Sequence, residues 1–184
     1  MSIKLSNKRC EEIKRIVVDM FVKYNVNCIP VNGFEIATKM GIKVLPYSSI
    51  KKSKRFLLYK PSKDGFFIEK EKDKFYIFYN DEKGYGRINY TILHEIGHIV
   101  LGHLQDSELA EKEVNFFAKY ALVPPVLVHK LKLDNPTDIS RIFDVSYEEA
   151  KYAYSYYQKW LIYGSDFYTD YEFKILELFK LNVA

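Results

Sequence analysis

Ile92, Leu93, Ile96, Ile99, Val100 and Leu101 fall within a stretch of helical period that runs over roughly 87–102. A helix so apolar on nearly every side cannot lie on a surface, so the rest of the chain has to fold around it. Yet the same stretch carries His94, Glu95 and His98. Two imidazoles and a carboxylate in a buried helix cost several kcal/mol unless something pairs them.

The chain has the means to bury such a helix. It holds 184 residues, 48% of them hydrophobic and 16% aromatic, enough for one domain or one domain with an appendage. That content excludes intrinsic disorder. Cys10 and Cys28 are too few for a disulfide scaffold. The first ten residues are polar, and no apolar run is long enough to span a bilayer. The expectation is a soluble cytoplasmic protein with reduced thiols and no membrane partner. A formal net charge of +4 permits weak attraction to nucleic acid without requiring it.

Around the buried helix, the hydrophobic period changes along the chain. Ile13, Ile16, Val17, Met20, Phe21 and Tyr24 mark an amphipathic helix over 6–24. Asn32 is placed to cap a second short helix, with Glu35 three residues on and Gly41 as its stop. Short apolar or aromatic runs at 42–47, 55–59, 66–69 and 74–80 then predict a small antiparallel sheet of three or four strands. The run 74–80 is read as a strand on the active-site side of the sheet, and one of these strands is expected to hold an extended peptide at a sheet edge. Helical period returns after Gly86 and predicts helices near 87–102, 108–122, 125–131, 136–143, 146–162 and 168–180. Pro124-Pro125 marks the natural boundary, giving a mixed unit over 1–124 and a helical extension over 125–184.

The spacing His94-Glu95-Ile96-Gly97-His98 supplies the chemistry. Residues four apart share a helix face, so both imidazoles can reach one metal ion. Imidazole pairs suit Zn2+, and an incomplete protein shell leaves a position for water. Such a water has its pKa lowered from about 15.7 toward about 7, which lets Glu95 take its proton near neutral pH. This is the zinc-peptidase pattern. The plainer alternative is two surface histidines beside a solvated glutamate, and the apolar surroundings weigh against it.

A third ligand is needed. His103 is nearest, but it falls one position short of the long three-histidine motif. Unless Gly102 breaks the helix, it also points about 140° away from His98. In the next helix, Leu109, Phe116, Phe117 and Tyr120 fall within about 60° of Glu113, whereas Glu111 projects about 160° away. Glu113 is therefore a carboxylate centred on an apolar face, and the reading takes it as the third ligand. The alternative is a Glu113 paired with a lysine or a backbone amide. His103 then serves as a group behind the ligands or as an oxyanion stabiliser.

The run Arg87-Ile-Asn-Tyr-Thr-Ile-Leu-His-Glu-Ile-Gly-His-Ile-Val-Leu-Gly-His103, followed by Glu111-Lys-Glu-Val-Asn-Phe-Phe-Ala-Lys-Tyr-Ala-Leu-Val-Pro124, resembles the ImmA/IrrE family of metallo-endopeptidases. Glu113, Val114, Asn115, Phe117, Ala118 and Pro124 fall on the family's second signature, so the resemblance selects the same glutamate. The sequence departs from the usual pattern at Val114, Val123 and Asn89. The resemblance implies a bacterial or phage-derived protein that cleaves a helix-turn-helix repressor of a mobile element or stress regulon.

Residues 136–150 look like a helix-turn-helix with its turn at Asp144-Val145-Ser146. Between Asp134 and Trp160, five acids face three bases, which argues against phosphate contact there. The basic run 51–55 is read as a solvated loop. The expected fold is therefore α+β and zincin-like, with the sheet packed on the His94–His98 helix and a helical C-terminal extension. The expected function is zinc-dependent peptide hydrolysis with one ion. The rival is a regulator that binds a repressor or DNA without cutting it.

Overall fold

The computed structural model describes residues 4–103, 107–164 and 167–181. The chain falls into two compact units, one of Asn32–Asp106 and one that joins Met1–Val31 to Ser107–Ala184. The expected boundary at Pro124-Pro125 lies within the second of these.

The 32–106 unit is mixed α and β. Helix α2 (Gly33–Lys39) starts at Asn32, whose side chain accepts from the amides of Phe34 and Glu35. It ends at Gly41, whose φ of +74° suits a residue without Cβ. Strands β1 (Lys43–Pro46), β2 (Gly65–Glu71) and β3 (Lys74–Tyr79) form one sheet in the order β1-β3-β2. β2 and β3 form the expected hairpin, with Phe67 opposite Ile77. β1, however, runs parallel to β3, with Val44 opposite Ile77. The sheet is therefore mixed rather than antiparallel. The reason is that the long 47–64 connection lets the chain cross over before the hairpin begins.

Two further expectations are corrected here. Residues 55–59 form no strand, since Lys52–Leu57 is a 3-10 helix. The Arg55 guanidinium donates to the carbonyls of Ile50 and Ser48, which coils the segment, and Phe56 and Leu57 stay exposed. The strand over 74–80 is central in the sheet, with both ladders filled, so it cannot accept a peptide strand. Among the described residues, the outer edges of β1 and β2 remain for strand addition.

Helix α3 (Tyr85–Leu101) packs on α2, β2 and β3. Ile92, Leu93 and Ile96 are fully buried, each contributing about 1.5–3 kcal/mol. Asn89 explains its departure from the family pattern: it is buried and accepts from the Gly33 amide at 2.7 Å, tying α3 to the start of α2. Arg87 donates to Asp64 at 2.6 Å, which holds the Asp64 carboxyl below its ordinary range. That tie is therefore present at neutral pH and is lost as pH falls through the depressed value.

Gly65 sets how closely α3 approaches the sheet. A Cβ there meets Thr91 Cγ2 at 2.5 Å and the Phe78 carbonyl at 2.8 Å. Gly65→Ala is expected to destabilise the chain by about 1–3 kcal/mol through overpacking. Urea unfolding measures this, and an unchanged midpoint contradicts the close packing.

The other unit is helical. α1 (Asn7–Lys23) packs on α4 (Glu108–Leu122) and on α8 (Asp170–Leu178). α5 (Pro125–Lys130) and α6 (Pro136–Phe143) both pack on α7 (Tyr147–Gly164). Val17, Phe21, Phe117, Leu127, Phe143 and Ile175 form its fully buried core. Asn135 caps α6 and Asp144 ends it at a φ of 50°, which gives the expected turn before α7. No described helix is long and apolar enough to cross a membrane.

Candidate metal centre

Helical spacing brings the two histidines of α3 together, with His94 and His98 ring centroids 5.0 Å apart. His98 is only 4% exposed and stacks on Phe67 of β2, with centroids 5.8 Å apart. Gly102 ends the helix at a φ of 70°, so the chain turns back and His103 does not follow the helical continuation. Its amide donates to the His98 carbonyl at 3.0 Å. Its Nδ1 lies 3.3 Å from Nδ1 of His98. A neutral His98 that donates from Nδ1 keeps the lone pair of Nε2 for a metal. His103 thus sits where it can fix the tautomer and angle of a ligand, and this contact suits positioning more than oxyanion binding. His103→Ala is expected to weaken zinc binding by about 10–100-fold. Competition with a chromophoric chelator measures it, and an unaltered affinity removes His103 from the centre.

Glu95, between the two histidines, is 7% exposed. Its charge is felt by Tyr47, which follows β1: burial first, and Glu95 second, push the Tyr47 phenol up to about 12. Tyr47 therefore stays neutral and donates to the Ser62 carbonyl at 3.0 Å. Nothing in the spacing of the sequence pointed to Tyr47 as a neighbour of this carboxylate.

On α4, Glu113 is 6% exposed, as its place on the apolar face requires. Its partner is Arg9 of α1. Arg9 Nε donates to Oε1 at 2.8 Å and Nη2 to Oε2 at 2.7 Å. Hydrogen bonding to Glu113 is the main cause that drives the guanidinium above its ordinary pKa. The guanidinium fork engages both carboxylate oxygens, so Glu113 has an ion-pair partner within its own unit. No local signal could reveal it, since 104 residues separate the pair. Glu111 lies two residues earlier, and its amide donates to the carbonyl of the α4 cap, Ser107. Glu111 and Asn115 are four apart and share a helix face.

The sequence profile of the IrrE N-terminal-like domain, Peptidase M78, matches residues 37–155, well over half the chain. The chain belongs to this family. The matched span contains His94, Glu95, His98, His103, Glu111 and Glu113. The Peptidase M78 match supports a zinc metallopeptidase, and the imidazole pair on α3 is the donor set such a centre needs. Among proteins of curated function, none matches the chain.

Proposed function

We propose that this Peptidase M78 protein is a zinc-dependent endopeptidase that cleaves a helix-turn-helix transcriptional repressor of a mobile element or stress regulon. The observation that carries the hydrolytic reading is Glu95, a buried carboxylate between two imidazoles on one helix of a peptidase family.

His94 and His98 hold the ion, and Glu111 is the third protein ligand in place of Glu113. The change is supported within the helical unit, where Arg9 engages both oxygens of Glu113 and its positive charge disfavours a dication beside it. A zinc ion held there supplies a water with a lowered pKa and polarises the scissile carbonyl. Glu95 accepts the proton of the attacking water and returns it to the leaving amine. His103 holds the ring of His98.

Protein, rather than nucleic acid, is favoured as the substrate by the charge of the α6–α7 turn. There Arg141 pairs with Asp138 and Lys151 with Glu148, and Lys119 of α4 pairs with Glu149 of α7. Those cations are neutralised and are not offered to phosphate. The test is co-expression with the repressor encoded nearest to the gene, followed by intact mass. One discrete cut, abolished by chelator, supports the reading. A stable uncut complex moves the assignment to a regulator that binds without cleaving.

A further inference from the structure

The chain from Ser48 to Lys63 carries six cations and no acid. Its middle coils into the 3-10 helix Lys52–Leu57. In such a helix residues three apart eclipse one another, so the turn has distinct faces. Arg55 and Leu58 share the half-buried one, where the guanidinium donates to the Ile50 and Ser48 carbonyls. Phe56 and Leu57 lie on the others, 60% and 47% exposed, and Tyr59 follows at 36%. Three large apolar side chains held in water within four positions form a patch rather than scattered singles, and a patch rimmed by charge marks a contact surface.

The lysines around the patch are available for contact. Lys51, Lys52, Lys54 and Lys60 are exposed, and none has a carboxylate partner among the described residues. Lys60 holds its ammonium 5.9 Å from the Phe56 ring centre, which keeps that charge beside the apolar surface. The acids bordering the segment are already engaged. Asp64 takes Arg87 and Lys83, Asp81 accepts from the Ser48 amide, and Glu82 accepts from the Tyr59 hydroxyl. The patch also adjoins the hydrolytic centre of its own unit. The Tyr59 ring meets that of Tyr47 at 5.2 Å, and Tyr47 is the phenol on which the Glu95 charge bears.

We propose that residues 51–60 are a docking surface for an acidic segment of the substrate protein, its carboxylates on Lys51, Lys52, Lys54 and Lys60 and an apolar side chain against Phe56 and Leu57. The proposal rests on the peptidase reading and adds a substrate class to it: a protein with an acidic, partly apolar stretch outside the scissile bond. Complementary charge speeds encounter and selects the partner, while burial of the apolar pair holds it. Holding one part of the substrate beside the centre raises the effective concentration of the rest. Nucleic acid fits less well, since the segment's one guanidinium is turned onto backbone carbonyls and Leu57 offers no plane for a base. A membrane also fits less well, because a six-residue turn with two outward apolar side chains is a small face to insert.

The full-length protein is titrated into a labelled peptide of alternating glutamate and leucine, and fluorescence anisotropy is followed. Saturable binding is expected, weakening as salt is added. Lys52→Gln combined with Lys54→Gln is expected to weaken it about three- to tenfold. Phe56→Ser is expected to weaken it about tenfold or more. Lys70→Gln combined with Lys72→Gln removes the same charge from the β2–β3 hairpin and is expected to leave binding unchanged. A glutamate–serine peptide, oligothymidylate and phosphatidylserine vesicles are the comparison ligands, each expected to bind more weakly. If Phe56→Ser fails to fold, the two lysine pairs decide. Absence of saturable binding overturns the proposal, as does an equal loss from both lysine pairs or equal affinity for the glutamate–serine peptide. Tighter binding of oligothymidylate or of vesicles overturns it in favour of nucleic acid or lipid. Binding is read without hydrolysis, so this proposal and the peptidase reading fail on different measurements.

Discussion

Glu95→Gln is expected to keep its metal and lose its turnover. Glutamine has nearly the shape of glutamate and fits the same buried position on α3, where Glu95 is 7% exposed. It cannot accept a proton, so the step assigned to Glu95 disappears while His94 and His98 are untouched. General acid–base catalysis contributes about 10²–10⁴-fold, and kcat/KM for repressor cleavage should fall by that range. Zinc content by elemental analysis should stay equal to that of the native chain. A variant that retains turnover moves the proton transfer to another group. A variant that loses zinc makes Glu95 part of the ion's support rather than its base.

The second large effect separates the two glutamates of α4. Glu111→Gln is expected to leave the fold intact and to weaken zinc binding by more than about 100-fold, since even groups behind the ligands cost 10–100-fold. Glu113→Gln is expected to do the reverse. It strands Arg9, whose guanidinium donates to both Glu113 oxygens. Breaking a buried pair costs about 3–5 kcal/mol, but the Arg9 side chain is 32% exposed, so solvent reduces the loss to about 2–3 kcal/mol. For a chain of this size that lowers Tm by about 5–10 °C. Zinc titration and thermal unfolding of both variants give the answer. Loss of zinc in Glu113→Gln, with zinc kept in Glu111→Gln, restores the ligand set read from the helical face.

What the sequence made legible was local. The motif on α3 repeats at one helical turn, its surroundings are apolar on nearly every side, and Asn32 and Gly41 sit beside the element they bound. These signals need no knowledge of distant residues. The helical-face argument also placed Glu113 correctly among buried groups. It could not name the partner, because Arg9 lies on the first helix and nothing in a 3.6-residue period links the two. Strand direction failed for the same reason. The parallel pairing of β1 with β3 depends on where the 47–64 connection delivers the chain. The aromatic run at 55–59 resembled a strand, but among the described residues no strand faces it, and Arg55 coils it instead. His103 shows the limit most closely. Its angle was calculated for a continuing helix, and Gly102 turned the chain back so that it meets His98.

The central claim is that one bound metal ion is required for peptide-bond hydrolysis by this chain. The most direct measurement strips the full-length protein with chelator, adds zinc in fractions of an equivalent, and follows repressor cleavage by intact mass. Cleavage that is absent without metal and rises to a plateau near one equivalent is the predicted result. Cleavage that survives complete metal removal, or one tightly bound equivalent with no cleavage at any loading, contradicts it.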